Sequence, residues 1–560
     1  MPQTDSERNV PLYQIFSFVK ASVARLSCAT REVKALKNVQ NKSAHEAINF
    51  PVRCMLSILI GADFCLIFPA GRPKIQVVEV ILVRMFSTNS SQLSPSALTS
   101  LEAALAEVAD ETVVITTDEG RANASHDETE DLRFLPDAVI EPRTTASVQA
   151  VMRWATEHRV PVTAAGARTG LSGGALPVEG GIALNMRRMN AILEVDTLNH
   201  QIRVQPGVIV HDLKQAAAER GLFYAVDPSS FGSCTIGGNI AENSGGPRAV
   251  KYGVTKDWVL NLEVVLANGE VIRTGADTLK NSTGYNLTQL MVGSEGTLGI
   301  VTEATLKLRP LPAHQALMLA SFHSAEAACA CVASVFEAGV EPSALEFMER
   351  DAVLLAQAFT GDNTLPLPAN AAAQLLIEVD AFRQDALMPQ VEALLPVLER
   401  HGAMDPWFAE DEATKERLWF LRRRVGEAVK AASTYKEEDT VVPRGKLPAL
   451  LASVKEIGQR HGFRSICYGH AGDGNLHVNI LRDDLSDEAW TEQLPVAIRE
   501  IFEQVVGLGG TLSGEHGIGW VQKHYLDLAV SPVALALMQG IKRQFDPLGI
   551  LNPGKIWPEA

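Results

Sequence analysis

Paired cysteines are the first thing this sequence lacks. Its seven cysteines stand at 28, 54, 65, 234, 329, 331 and 467, with no Cys-x-x-Cys and no regular framework. That scatter argues against a disulfide-stapled fold and an iron–sulfur module, and reads as reduced thiols in a reducing compartment. Excess positive charge is missing as well: at a net −16, the 560-residue chain has no basic footprint for nucleic-acid phosphates. Long apolar runs are absent too. The most apolar piece, residues 55–70, is sixteen residues long and contains Asp63, short of the roughly 20 a membrane helix needs. It lies too far from the start, and is too poorly framed, to be a secretory signal. There are no repeats and no low-complexity tracts. What remains, 46% hydrophobic and 21% charged residues, is an ordinary globular composition. The length is too great for one core and implies roughly two to four domains.

The first 84 residues differ from the rest. They carry 11 Lys/Arg against 6 Asp/Glu, a net of +5, whereas the remainder carries 39 against 60, a net of −21. A basic leader of this kind fits an organellar transit segment, which would make the location mitochondrial. The expectation preferred here is that translation begins at Met85, because Phe86-Ser87-Thr88-Asn89-Ser90-Ser91 reads like a polar protein start. Residues 94–108 have helical spacing, with Leu98, Leu101, Leu105 and Val108 on one face. From about Pro136 short β-rich runs (138–140, 160–163, 182–184, 202–204) alternate with helical patches (145–158, 210–220), up to the proline pair Pro310 and Pro312. A second region is Ala-rich and helical in long parts (325–338, 386–401), with strands such as 374–379, and a helix at 532–543 precedes the tail. The expected organisation is an atypical extension (1–84), a helical segment (85–131), a first domain (132–311) and a second domain with the tail (312–560).

Two glycine-framed turns hold metal-type ligands. The run from Cys467 to Asn479 contains His470 and His477, and Glu515 and His516 follow between Gly514 and Gly517. Histidine and glutamate are the ligands a divalent metal such as zinc takes in an open site. In the alternating run 476–481, Leu476, Val478 and Ile480 point one way, and His477 and Asn479 the other. In an extended backbone Glu515 and His516 would point apart, so a turn is needed to bring both to one place. A lone histidine is ordinarily a satisfied core residue; here the clustering favours a site.

Three further loops are rich in Gly, Ser, Thr and Asn. The first holds Gly166, Arg168, Thr169, Gly170, Leu171, Ser172, Gly173 and Gly174. The second holds Pro228, Thr235, Gly237, Gly238, Asn239, Asn243, Gly245 and Gly246, and the third Glu295, Gly299 and Ile300. Glycines let backbone amides crowd round an anion. No Gly-x-Gly-x-x-Gly or Gly-x-x-x-x-Gly-Lys-Ser/Thr pattern occurs, which removes the dinucleotide and P-loop readings. The bland alternative is a small-residue β-domain with tight turns.

These loops resemble the FAD-binding domain of the vanillyl-alcohol oxidase/p-cresol methylhydroxylase superfamily. The His-x-Gly-Asp-Gly-Asn-Leu-His and Gly-Glu-His-Gly stretches and the tail Pro-x-Gly-Ile-Leu-Asn-Pro-Gly-Lys resemble its D-lactate, D-2-hydroxyglutarate and glycolate-oxidising branch. Six motifs in family order span 132–556, and residues 1–84 lie outside the match. The resemblance implies an α+β fold: a two-subdomain FAD-binding domain of p-cresol methylhydroxylase type, a ferredoxin-like α+β substrate domain, and a tail returning to the FAD domain. It implies FAD at the residues named in the three loops. The attachment is expected to be non-covalent, since Gly173-Gly174-Ala175 offers neither His nor Cys. It implies His470, His477 and Glu515 as ligands of a divalent metal, zinc being the expected ion, with Asn479 nearby and His516 as acid/base.

The implied reaction is oxidation of a D-2-hydroxy acid to the 2-oxo acid, with hydride passing to the flavin and His516 taking the hydroxyl proton. Within Trp419–Arg424 the resemblance assigns the substrate carboxylate to Arg422, while Arg423 reads as a solvated basic face. Family members acting on D-2-hydroxyglutarate carry a threonine where this chain has Gly426, and a lysine near Lys436-Glu437-Glu438-Asp439. Those departures favour D-lactate or glycolate, with D-2-hydroxyglutarate and a flavin subunit of a multi-subunit glycolate oxidase as alternatives. Without the resemblance, a zinc hydrolase fits the histidines equally well. The electron acceptor must be external: a quinone, a cytochrome, an electron-transfer flavoprotein or oxygen. The expected location is cytoplasmic, with a peripheral place at the inner membrane left open, as is a homodimer.

Overall fold

A computed structural model describes residues 93–558, apart from 109, 130 and 131; the expectations for the extension 1–84 and for a start at Met85 lie outside the described residues. Helix α1 (Pro95–Ala106) is capped by Ser94, whose hydroxyl accepts from the Ala97 amide, and it buries Leu101 and Leu105. It packs on α2 (Thr145–His158), where Trp154 donates to Ser100. Beside them β1 (Val113–Ile115), β2 (Ala138–Glu141), β3 (Val162–Ala165) and β4 (Ile182–Asn185) form a sheet in the order β1-β2-β4-β3, with β2 and β3 parallel to β4. Strand β3 begins two residues later than the sequence suggests. Pro161 has no amide to give, and its carbonyl accepts from Ile182 instead.

A second, antiparallel sheet takes β5 (Ile192–Asp196), β6 (Gln201–Val204), β7 (Val259–Val265), β8 (Val271–Arg273) and β9 (Ile300–Lys307) in the order β5-β6-β9-β7-β8. Its inner face, including Ile202, Val204, Leu262, Val264, Ala304 and Leu306, shares a core with α3 (Val210–Ala218) and α4 (Ile236–Glu242).

The C-terminal half is a seven-stranded antiparallel sheet. It takes β10 (His314–Phe322), β11 (Ala344–Glu349), β12 (Ala373–Ala381), β13 (Trp407–Phe408), β14 (Tyr435–Val441), β15 (Arg464–Gly469) and β16 (Asn475–Leu481) in the order β13-β10-β12-β11-β15-β16-β14. Period-2 alternation splits it into two cores. Met318, Ala320, Val478 and Ile480 pack under α5 (Ala325–Glu337), the helices Gln384–Arg400 and Leu447–His461, and the helix Leu494–Gly507. Leu317, Leu319, Ile466 and Leu481 pack under the helices Arg350–Thr360 and Glu412–Ala432. The α+β expectation holds, and His477 and Asn479 project on the second face, away from Val478 and Ile480, as their alternation requires.

In the turn joining β15 to β16 the glycine with a left-handed backbone is Gly474. Gly474 has φ +88°, and an added Cβ would collide with the Val442 carbonyl oxygen. Gly474→Ala is therefore expected to destabilise the protein by about 2–4 kcal/mol, read from the denaturant midpoint. The tail returns to the first sheet: Val162 donates to Ile550 and Asn552 donates to the Val162 carbonyl. The Asn552 side-chain amide donates to the carbonyls of Gly174 and Glu295. No helix among the described residues is long and apolar enough to cross a membrane.

Candidate active site

His470 lies at the end of β15 and His477 in the middle of β16, so the hairpin between them folds the two rings to 5.4 Å and nearly perpendicular. Glu515 Oε1 stands 3.1 Å from His470 Nε2 and 3.6 Å from His477 Nε2. The ligand atoms of these three residues lie within 4.8 Å of one another, a spacing one divalent ion can span. The opposite ring nitrogens face carboxylates. His470 Nδ1 is 2.9 Å from both Glu346 oxygens, and His477 Nδ1 is 3.2 Å from Glu437. At His470 such a partner fixes the ring with Nδ1 protonated and Nε2 toward the ligand side, whereas His477 Nδ1 lies close to its carboxylate without hydrogen-bond geometry. Asn479 is buried on the same face, and neither of its amide atoms makes a hydrogen bond. Glu437, His477 and His516 form a second grouping of the same compactness.

The turn that brings Glu515 and His516 together is built on Asp439. Its Oδ2 accepts from the Ser513 hydroxyl at 2.8 Å and from the amides of Gly514, Glu515 and His516 at 2.9, 2.8 and 2.9 Å. Its Oδ1 accepts from the Asn475 side chain at 2.7 Å. Burial pushes the Asp439 carboxyl up, but His516, His477 and those amides hold it well below the usual range. Burial likewise opposes ionisation of Glu515, yet His470 and its neighbouring imidazoles bring it down to about 2. Burial pulls the imidazoles down; Glu346 and Glu515 around His470, and Asp439 and Glu437 around His516, outweigh it and raise both. The cluster is thus rich in carboxylate, and a cation would replace the protons its histidines otherwise take.

Glu346, Glu437 and Asp439 are site residues that motif reading did not assign. Alternation in 435–441 was the available signal: it sets Tyr435, Glu437 and Asp439 on one face. For Glu346 the signal was an acid inside the otherwise apolar stretch Ala344–Met348.

Helix Glu412–Ala432 brings its arginines to the same face. Arg422 is 3% exposed, 2.6 Å from Glu346, and over the Tyr468 ring at 5.3 Å. The Glu346 contact lacks hydrogen-bond geometry, leaving Arg422 Nε and Nη2 unsatisfied. Arg423 is not on a solvated basic face. It is sandwiched between Phe231 at 4.8 Å and Trp419 at 5.3 Å, with Asp227 at 3.8 Å. Arg424 is the most exposed of the three, half-buried and paired with Glu427.

Between this face and the glycine loops lies a cavity of about 1230 Å³, roomy enough for a dinucleotide. Gly166, Arg168, Thr169, Gly170, Leu171, Gly174, Pro228, Thr235, Gly237, Gly238, Asn239, Glu295, Gly299 and Ile300 line it, as do Arg422, Glu437, His477, Glu515 and His516. A Cβ at Gly166 would strike Thr235, and one at Gly237 would strike Pro206. Buried Arg168 Nε and Nη2 and Asn239 Nδ2 have no protein partner, which a polar ligand in the cavity would supply.

Five expected cofactor residues do not line the cavity; they shape its wall. The Ser172 carbonyl accepts from Trp520 and Val521, and Gly173 (φ +73°) abuts Trp520. Asn243 ends α4 and accepts from the Lys256 amide. Gly245 abuts Glu515 and Gly246 abuts the Asp227 carbonyl. Glu295, though lining the cavity, also accepts from the Ile518 and Gly519 amides, fastening the Glu515 turn to the first domain. His470 and Asn479 lie behind the lining.

The two-domain fold and this cavity define a flavin-dependent oxidoreductase. The "FAD binding domain" model matches residues 136–275, and that of "FAD linked oxidases, C-terminal domain" matches 311–556. The chain is 40% identical to glycolate oxidase subunit GlcD of Bacillus subtilis, over 78% of this chain and 92% of the relative. It is 38% identical to D-lactate dehydrogenase of Anaerostipes hadrus (79% and 94%) and 34% to D-2-hydroxyglutarate dehydrogenase of Stutzerimonas stutzeri (79% and 96%). Substrate-bound p-cresol methylhydroxylase shares its fold, with a TM-score of 0.68, 18% identity, and 83% and 97% of the two chains covered. The chain belongs to the FAD-linked oxidases and binds FAD.

Proposed function

We propose that this protein is an FAD- and metal-dependent dehydrogenase of a small D-2-hydroxy acid, D-lactate or glycolate being favoured. The observation that carries this reading is one cavity lined by both the flavin loops and His477, Glu515, His516 and Arg422. When bound, FAD would supply the hydride acceptor, and a divalent metal, zinc by its His₂Glu donor set, would acidify the substrate hydroxyl. Arg422, buried and with two unsatisfied nitrogens, holds the substrate carboxylate. Asp439 lies 4.0 Å from His516 Nδ1, which favours a proton there and leaves Nε2 to receive the hydroxyl proton. Asn479 offers two free polar atoms behind the ligands. The first loop has no His or Cys at 173–175, supporting non-covalent flavin.

Electrons leave to an external acceptor, a quinone, a cytochrome or an electron-transfer flavoprotein. Likeness to a protein named as a subunit favours one second reading, a flavin chain that turns over only with partner chains. Dye-linked assay of the purified chain separates the two. D-lactate should give pyruvate with dye reduction; flavin-loaded protein that reduces no dye with any 2-hydroxy acid favours the subunit reading.

A further inference from the structure

This inference rests on the reading above, with the substrate carboxylate at Arg422. Strand pairing sets Glu437 opposite Asn479 and Asp439 opposite His477. Glu437 therefore faces the site, while Lys436 lies on the other face with its ammonium over Trp490 at 5.6 Å. The lysine-bearing register left open in the sequence is closed: the side chain presented to the cavity here is an acid. Glu437 lines the cavity with Tyr435, Tyr468 and Gly426; of the cations on the Gly426 helix that also line it, Arg423, Arg424 and Lys430 face the carboxylates of Asp227, Glu427 and Glu128. Tyr468 stands between the two charges. Its ring is 5.3 Å from the Arg422 guanidinium and 5.4 Å from His477, whose Nδ1 is 3.2 Å from Glu437. Gly426 contributes no side chain, and a Cβ there would lie 3.2 Å from the Tyr468 hydroxyl.

We propose that Glu437 sets the substrate class: the site takes 2-hydroxy acids with a single carboxylate and rejects those with a second one at the far end. One carboxylate pairs with Arg422. A second, on a chain running past Tyr468, meets the Glu437 carboxylate where little water screens the repulsion. Rejection by a fixed like charge is a repulsive element of specificity, independent of how well the first carboxylate is held.

Flavin reduction rates with D-lactate and D-2-hydroxyglutarate test this on the wild type and Glu437→Gln. Wild type should favour D-lactate by roughly a hundredfold in kcat/KM, as expected of a like charge held in the cavity wall. Glu437→Gln should cut that ratio by about tenfold or more, chiefly through tighter dicarboxylate binding. Because Glu437 touches His477, turnover of the variant can fall. The ratio of dissociation constants for oxamate and 2-oxoglutarate, read from the flavin spectrum, then carries the same test. An unchanged ratio in the variant, or a wild type indifferent to the second carboxylate, overturns the assignment of Glu437. A wild type whose flavin no 2-hydroxy acid reduces overturns the underlying dehydrogenase reading, and the Glu437 proposal with it.

Discussion

His516→Ala is expected to lose flavin reduction by 2-hydroxy acids, by about 10²–10⁴-fold, while the protein still binds flavin. The ring stands where the cavity meets the His470–His477–Glu515 cluster, stacked 5.2 Å from His477. Its backbone amide, not its ring, makes the hydrogen bond to Asp439, so the alanine variant keeps the turn. Stopped-flow reduction under anaerobic conditions reads the chemical step alone. A variant reduced at the wild-type rate would remove His516 from the proton path, and one that loses its flavin would make the residue structural.

Asp439→Ala should have the second-largest effect, on the architecture rather than the chemistry. One carboxylate oxygen gathers four donors and the other a fifth, all in a buried place. Removing it leaves those donors unsatisfied, at a cost of about 3–5 kcal/mol. The turn that aims Glu515 and His516 should loosen, so metal content and turnover fall together. Asp439→Asn keeps an acceptor and the volume, and should lose less of both. Thermal unfolding and elemental analysis of the two variants check this; a full metal complement in Asp439→Ala would contradict it.

Much of this could be read from residue patterns, and the remainder has definite physical reasons. Local signals sufficed where they were strong: the Thr144-capped helix 145–158 forms with those bounds, and Leu476, Val478 and Ile480 face the core as alternation demands. The histidines and Glu515 converge because glycine-framed turns permit it. Yet what folds the Glu515 turn is Asp439, seventy-odd residues earlier, and such a contact leaves no local trace. Arg423 misled for a similar reason. A charge run reads as a solvated face, but Phe231, from the other domain, covers this guanidinium. Asn243, Gly245 and Gly246 belong to the right loop, but their own contacts shape the wall and leave the lining to others. The departure at Lys436 became interpretable only with the β14–β16 register, which puts Glu437 in the site.

Anaerobic titration of the bound flavin with enantiomeric pairs of 2-hydroxy acids, before and after chelation, joins the two halves of the site in one reading. Bleaching by a D-2-hydroxy acid, lost on chelation and restored by a divalent metal such as zinc, is the expected result. Bleaching that survives complete removal of metal, or a flavin that no 2-hydroxy acid reduces, would contradict it.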